Sequence, residues 1–144
     1  MNTAVLSKIY GRLEESGLLQ WIEEDCGQLN STQRPSIALP AALIDISYTD
    51  CVNMTKRNQR VKINVQLKIA LSTTIRINTS TPKEAQDASF KRIRLVSDIH
   101  SLLQGWDGDG LFMPMARKKE SSEIRADGVK VYTVIYQMDS LDII

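Results

Sequence analysis

From Val61 to Ile77 the chain alternates with a period of two. Val61, Ile63, Val65, Leu67, Ile69 and Leu71, then Ile75 and Ile77, occupy odd positions, and Lys62, Asn64, Gln66, Lys68, Ala70, Ser72, Thr74 and Arg76 the even ones. That period places every large apolar side chain on one face. Such a run folds as a half-buried antiparallel strand, or as one strand running on into an extended arm. At about 3.3 Å per residue it would span roughly 55 Å, whereas a compact domain of 144 residues has a diameter near ~37 Å. Two outcomes follow: the strand bends at Ser72–Thr74, or one end projects and completes the sheet of a neighbouring subunit.

The length fits a single domain, residues 1–144, large enough to bury a core without disulfides or metals. The formal net charge is +1, and no apolar run has the length of a membrane span. Residues Met1–Lys8 lack the basic start and long apolar core of an export signal, so no membrane partner is expected. Cys26 and Cys51 form no Cys-x-x-Cys pair and read as reduced thiols. His100 is the single histidine, so a His/Cys metal cluster or a nucleophile–histidine triad would rest on it alone. The expectation is a protein that is not an enzyme and takes no cofactor or metal.

Leu6, Ile9, Tyr10 and Leu13 share one helical stripe in a helix over residues 3–16, closed by Gly17. Residues 18–25 read as a short second helix with Leu18, Leu19 and Ile22 inward. Residues 27–40 form a connector, extended and edge-like over Pro35–Pro40. Ala42–Thr49 is a strand, and Asp50–Arg60 a long, mobile, basic loop. After the long strand, Thr81-Pro82-Lys83-Glu84 is a helix start with a capping box. That helix runs to Gln104 with Phe90, Ile93, Val96 and Leu103 on its main stripe, widened by Leu95, Ile99 and Leu102. Gly105 ends it. Strands are expected over Leu111–Lys118 and Val129–Met138, and the tail 139–144 is apolar at Leu141, Ile143 and Ile144. The fold class is α+β: a mostly antiparallel four-stranded sheet with an N-terminal helix and one long helix packed on one face.

Candidate chemistry is sparse. Asp107-Gly108-Asp109-Gly110 resembles the start of a calcium loop, but it lacks the third ligand and the closing glutamate, so it reads as a tight turn. His100 has no Asp or Ser placed by sequence to orient it, and the acidic residues between 14 and 25 read as a solvated face. Charge is more informative. No acidic residue falls between Cys51 and Lys83, where Lys56, Arg57, Arg60, Lys62 and Lys68 lie, together with Arg76. This basic hairpin is open to three readings: a solvated sheet face, a contact with an acidic patch on a neighbouring copy, or a nucleic-acid surface over 56–76. Near-neutral overall charge and the lack of interleaved aromatics weigh against the last.

The order of elements resembles the tail-terminator (tail-completion) proteins of long-tailed bacteriophages. The features that carry it are the amphipathic opening helix, the Pro35–Pro40 lead-in to the Ala42–Thr49 strand, and the alternating strand Val61–Ile77. The capped helix Pro82–Gln104, a Gly-rich turn and the closing strand Val129–Tyr136 complete it. The resemblance implies a structural virion assembly protein. It would form a ring, usually of six subunits, that caps the head-proximal end of the tail tube, stops its polymerisation and joins tail to head. Its partners would be itself, the tail tube protein and a head connector or neck protein. Nucleic acid would enter only as DNA passing through the ring. The protein would sit in the tail or neck of the virion after assembly in the bacterial cytoplasm. Lys56, Arg57, Arg60, Lys62 and Lys68 are then expected at subunit or tail-tube contacts. Alternative readings are another head–tail connector or neck component, or a nucleic-acid-binding α+β module.

Overall fold

The structure is a computed structural model that describes residue 1 and residues 3–31, 33–73 and 81–144. In chain order the elements are α1 (Thr3–Ser16), β1 (Trp21–Glu24), β2 (Ala41–Asn53), β3 (Asn58–Ser72), α2 (Pro82–Leu103), β4 (Ala116–Ile124) and β5 (Val129–Ile143). They build a five-stranded sheet in the order β1-β2-β3-β5-β4. Only β1 and β2 run parallel; every other neighbouring pair is antiparallel. The α+β class and the mostly antiparallel sheet stand, with five strands in place of four.

The alternating run is the centre of this sheet. Val61, Ile63, Val65, Leu67, Ile69 and Leu71 are buried on one face. Fully burying each such side chain contributes about 1.5–3 kcal/mol. The strand starts earlier than expected, at Asn58, and ends at Ser72; positions 74–80, which include the expected continuation to Ile77, lie outside the described residues. β3 is flanked by β5 from Asn58 to Ser72 and by β2 from Gln59 to Ala70. A central strand has no free edge, so over its described length β3 does not complete a neighbour's sheet. Its excess length is matched by β2 and β5, and the projection belongs to a three-stranded ribbon.

Both helices pack on the face that carries the odd residues of β3. Val5, Ile9 and Leu13 of α1 and Val96, Ile99 and Leu103 of α2 meet Ile44, Leu67, Val134 and Tyr136 there. Thr81 caps α2, its Oγ1 accepting from the Glu84 amide at 3.1 Å, with Pro82 in the first turn. The other face is covered at one end only. There Leu29, Ile37 and Leu39 fold over Ala41, Leu43, Ala70, Val129 and Val131, and small Ala41 and Ala70 let the connector approach closely. Arg125 clasps it by donating to the Leu29 and Ser31 carbonyls, while Asp127 holds the same guanidinium at 3.0 Å. The Pro35–Pro40 stretch is thus a lid segment, not an edge strand.

Three further expectations are corrected. Where residues 18–25 were expected to form a helix, Trp21–Glu24 forms strand β1. So short a segment has little intrinsic helix stability. The edge of β2 supplies its backbone bonds instead, extended at both ends by Gln20 N to Pro40 O at 2.8 Å and Asp25 N to Ile44 O at 2.9 Å. The long loop 50–60 is mostly strand. A register shift between Tyr48 and Asp50 lets β2 continue to Asn53, leaving a tight tip in which the Met54 and Thr55 amides share the Asn58 carbonyl. Its polarity reflects exposure of both faces. Finally, residues 107–115 are turns that wrap the sheet edge, and the strand expected over Leu111–Lys118 begins at Ala116.

Candidate assembly surface

β1 flanks β2 only as far as Ile44, and β4 flanks β5 only as far as Gln137. Beyond those points the sheet narrows to β2-β3-β5, a ribbon whose two edges, among the described residues, pair with no further strand; residues 111–113 hydrogen-bond the β5 edge at Asp139 and Ser140. On the ribbon's face away from the helices, register partners align as Asp50–Lys62–Asp139 and then Val52–Arg60–Leu141, with Asn58 beside Ile143 at the end. The cations occupy the middle strand, and the apolar side chains the outer two.

The wrapping segment completes this end. Gly108, Asp109 and Gly110 have φ of 62°, 57° and 88°, a left-handed turn that reverses the chain. Asp109 is tied to Lys8 at 3.1 Å. The Phe112 ring then meets Trp106 edge-on at 5.6 Å, and the Arg12 guanidinium lies 5.1 Å over Trp106 while its Nε donates to Leu102 O. Met113 N donates to Asp139 O at 2.8 Å, and Ser140 Oγ to Leu111 O at 3.2 Å. Between this segment and β5 lies an open groove of about 550 Å³ lined by Leu111, Phe112, Met113, Leu141, Ile143 and Arg60. Met113, Leu141 and Ile143 stand 62%, 55% and 66% exposed. The apolar tail was visible in the sequence; that residues 111–113 meet it was not, because the contact depends on the turn at 108–110.

The five cations expected at contacts do not form one cluster. Lys56 and Arg57 sit exposed at the hairpin tip, where Arg57 O accepts from Ile144 N at 3.1 Å. Arg60 lines the groove. Lys62 stands between Asp50 and Asp139 in register. Lys68 is some 26 Å along the strand from Arg60 at about 3.3 Å per residue, and it is engaged within the subunit by Asp25 at 3.4 Å. Lys56, Arg57, Arg60 and Lys62 therefore belong to the ribbon end, and Lys68 does not.

Two further points concern residues of α2. Phe90 and Ile93, expected in the core, are 58% and 55% exposed, because α2 extends past the surface that buries Val96, Ile99 and Leu103. His100 is structural in its contacts: Nδ1 lies 2.8 Å from the buried Tyr136 hydroxyl and the rings stack at 5.8 Å. Burial, and secondarily the Arg117 charge, lower the His100 pKa, while Glu120 opposes the shift. A histidine whose folded pKa lies below its ordinary value of about 6.5 binds its proton more weakly than in the unfolded chain. Its contribution to stability is full above about pH 6.5, is lost as pH falls towards the folded pKa, and is flat below it. Urea midpoints compared between about pH 5 and 7 should fall more steeply for the natural chain than for His100→Gln; parallel curves refute the assignment.

No helix among the described residues is long and apolar enough to cross a membrane. No protein-family model matches the sequence, and no curated protein does. Among solved structures, the chain is similar to one from the virion of a native gene transfer agent particle. The TM-score is 0.53 at 8% identity, over 92% of this chain and 91% of that one. The likeness is one of fold, and it runs nearly end to end.

Proposed function

We propose that this protein is a structural virion assembly protein that closes into a ring, of six copies on the tail-terminator pattern, at the head-proximal end of a phage-like tail tube. There it ends tube polymerisation and presents a surface to the neck. Its partners on this reading are further copies of itself, the tail tube protein and a head connector or neck protein, and its work is structural, without catalysis or a cofactor. The observation that carries the reading is the near end-to-end fold likeness to a chain of a virion particle. Support also comes from a sheet end whose edges and apolar side chains suit association.

The arrangement of cations favours this over binding nucleic acid by the hairpin. A backbone-binding surface needs a continuous cationic stripe. Here Lys68 is paired with Asp25, Lys62 stands between two aspartates, and the chain carries a net charge of +1. The expected result by negative-stain microscopy is rings with a central hole, formed alone or on adding tail tubes, that decorate one tube end. Light scattering showing only monomer in both conditions refutes the ring. Rings that leave tubes bare point instead to a neck component.

A further inference from the structure

We infer that the two bare edges of the ribbon pair with each other between copies of this chain, the β5 edge at Leu141–Ile143 receiving the β2 edge of the next copy at Cys51–Asn53. The choice of a second copy as occupant rests on the ring reading above; the choice of edges rests on the backbone.

In an antiparallel strand the N–H and C=O of one residue point to the same side, and successive residues alternate sides. Asp139 O accepts from Met113 N, on the side away from β3. Leu141 and Ile143 therefore also point outward, while Ser140 and Asp142 point to β3. The inward direction of Ile144 N, which donates to Arg57 O, agrees with this phase. On the other side, Met54 N donates to Asn58 O, which sets even residues of β3 towards β2 at this end. Arg60 and its partner Val52 then bond each other, and Cys51 and Asn53 point outward. Among the described residues no strand pairs with these outward groups at either edge.

The side chains beside these edges carry the argument further. β4, the true outer strand on that side, runs Ala116-Arg-Lys-Lys-Glu-Ser-Ser-Glu-Ile124, a charged edge of the kind that blocks pairing. The ribbon edges carry Val52 and Met54 on one side and Leu141, Ile143 and Met113 on the other, with the cations held in the middle strand. These five side chains are about half to two-thirds exposed. In one contact Val52 and Met54 of one copy would face Leu141, Ile143, Met113 and Ile144 of the next, on the order of 600 Å² summed over both partners against about 1,600 Å² for a standard interface, so main-chain bonds must carry much of the contact. Strand addition onto such an edge draws affinity from main-chain bonds and specificity from flanking apolar side chains. β2 and β5 run in the same direction, on opposite sides of the ribbon and roughly 10 Å apart. Each copy can therefore donate one edge and accept through the other, a head-to-tail contact that closes by rotation.

Thiol cross-linking tests this directly. In a Cys26→Ser, Asp142→Cys chain the natural Cys51 remains on β2, and positions 51 and 142 lie on the same face of the sheet, in register with Val61 and Gln59 of β3. A short bismaleimide should then give a ladder of dimers, trimers and larger species, which disappears when Cys51→Ser is added. Dimers that persist without Cys51 mean β5 pairs with β5, and overturn the inference. Monomers only, in a sample whose light scattering shows rings, overturn it while the ring reading stands. Monomers by both measurements, with and without tail tubes, overturn both. Leu141→Pro removes an N–H that β3 does not use, so it should keep the monomer's circular dichroism and thermal midpoint while weakening assembly about tenfold or more. Leu141→Lys, which keeps the N–H but charges the edge, should do the same and decides the matter if the proline variant misfolds. Assembly at the natural concentration by both variants overturns the inference.

Discussion

Tyr136→Ala is expected to lower the free energy of unfolding by about 3–5 kcal/mol, read as a fall in the urea midpoint at unchanged slope. Tyr136 is fully buried on β5, in register with Val65 of β3 and Arg117 of β4. Its ring fills space beneath α2 and stacks on His100 at 5.8 Å. Truncation removes an aromatic ring from between the sheet and α2, within the cluster that holds Val96, Ile99 and Leu103, and leaves a cavity there. Tyr136→Phe separates packing from polarity: it keeps the ring and deletes the hydroxyl that lies 2.8 Å from His100 Nδ1. That change should cost about 0.5–1.5 kcal/mol, because His100 is only partly buried and water can replace the partner. Burial pushes the Tyr136 phenol well above its ordinary range and lowers the His100 pKa, and both shifts favour the uncharged form of the pair. Equal losses for the two variants would assign the stabilisation to the hydrogen bond instead of the packed ring.

How much of this fold could be read in advance depended on which residues bury one face and expose the other. β3 was legible because from Val61 to Leu71 its odd side chains face the core while its even ones meet solvent or the connector; its start, Asn58–Arg60, lacks that signal. α1 and the start of α2 were legible for similar reasons, one from a stripe and the other from a cap that does not depend on tertiary context. β4 was not. Its residues are exposed throughout except for a half-buried Ala116, so neither face carries an apolar period, and the apolar signal falls instead on the neighbouring Leu111–Met115, where wrapping buries Phe112 and Met115. β1 fails for the opposite reason: a short segment beside Gly17 takes its conformation from the strand that it joins.

The candidate surface shows the same division. The basic residues between Lys56 and Lys68 were conspicuous as a count, yet along a strand a count says nothing about partners brought from elsewhere. Asp25 reaches Lys68 from the end of β1, and Asp139 meets Lys62 from β5, both distant in sequence. The apolar residues of 139–144 stand out in the sequence, but their placement shows only when Leu141 is set in register with Arg60 and Val52 at the ribbon edge. Phe90 and Ile93 fit the helical stripe as well as Val96 does. The stripe cannot say where the supporting surface stops.

Gly108→Ala is the second large effect, expected to cost about 2–5 kcal/mol from two separable causes. The first is backbone: Gly108 has φ of 62°, where a side chain costs about 1–2 kcal/mol. The second is space. A Cβ there would lie 2.3 Å from Phe112 Cε2 and 2.6 Å from Cζ, and that ring is 5% exposed and braced edge-on against Trp106, so it has little room to retreat. Overpacking of this kind adds about 1–3 kcal/mol. A double-mutant cycle separates the two. In a Phe112→Leu background the steric part should largely vanish and the backbone part remain, giving a coupling of about 1–2 kcal/mol. Additivity within about 0.5 kcal/mol would mean that the glycine is required for φ alone. The cycle also bears on association, because the same turn delivers Leu111 and Met113 to the groove beside β5. If that groove flanks the contact between copies, Gly108→Ala should raise the protein concentration needed for rings. Ile9→Val, a milder core change of about 0.5–1.5 kcal/mol on α1, should leave that concentration unmoved. Equal shifts for the two would show that assembly follows overall stability and not the shape of the groove.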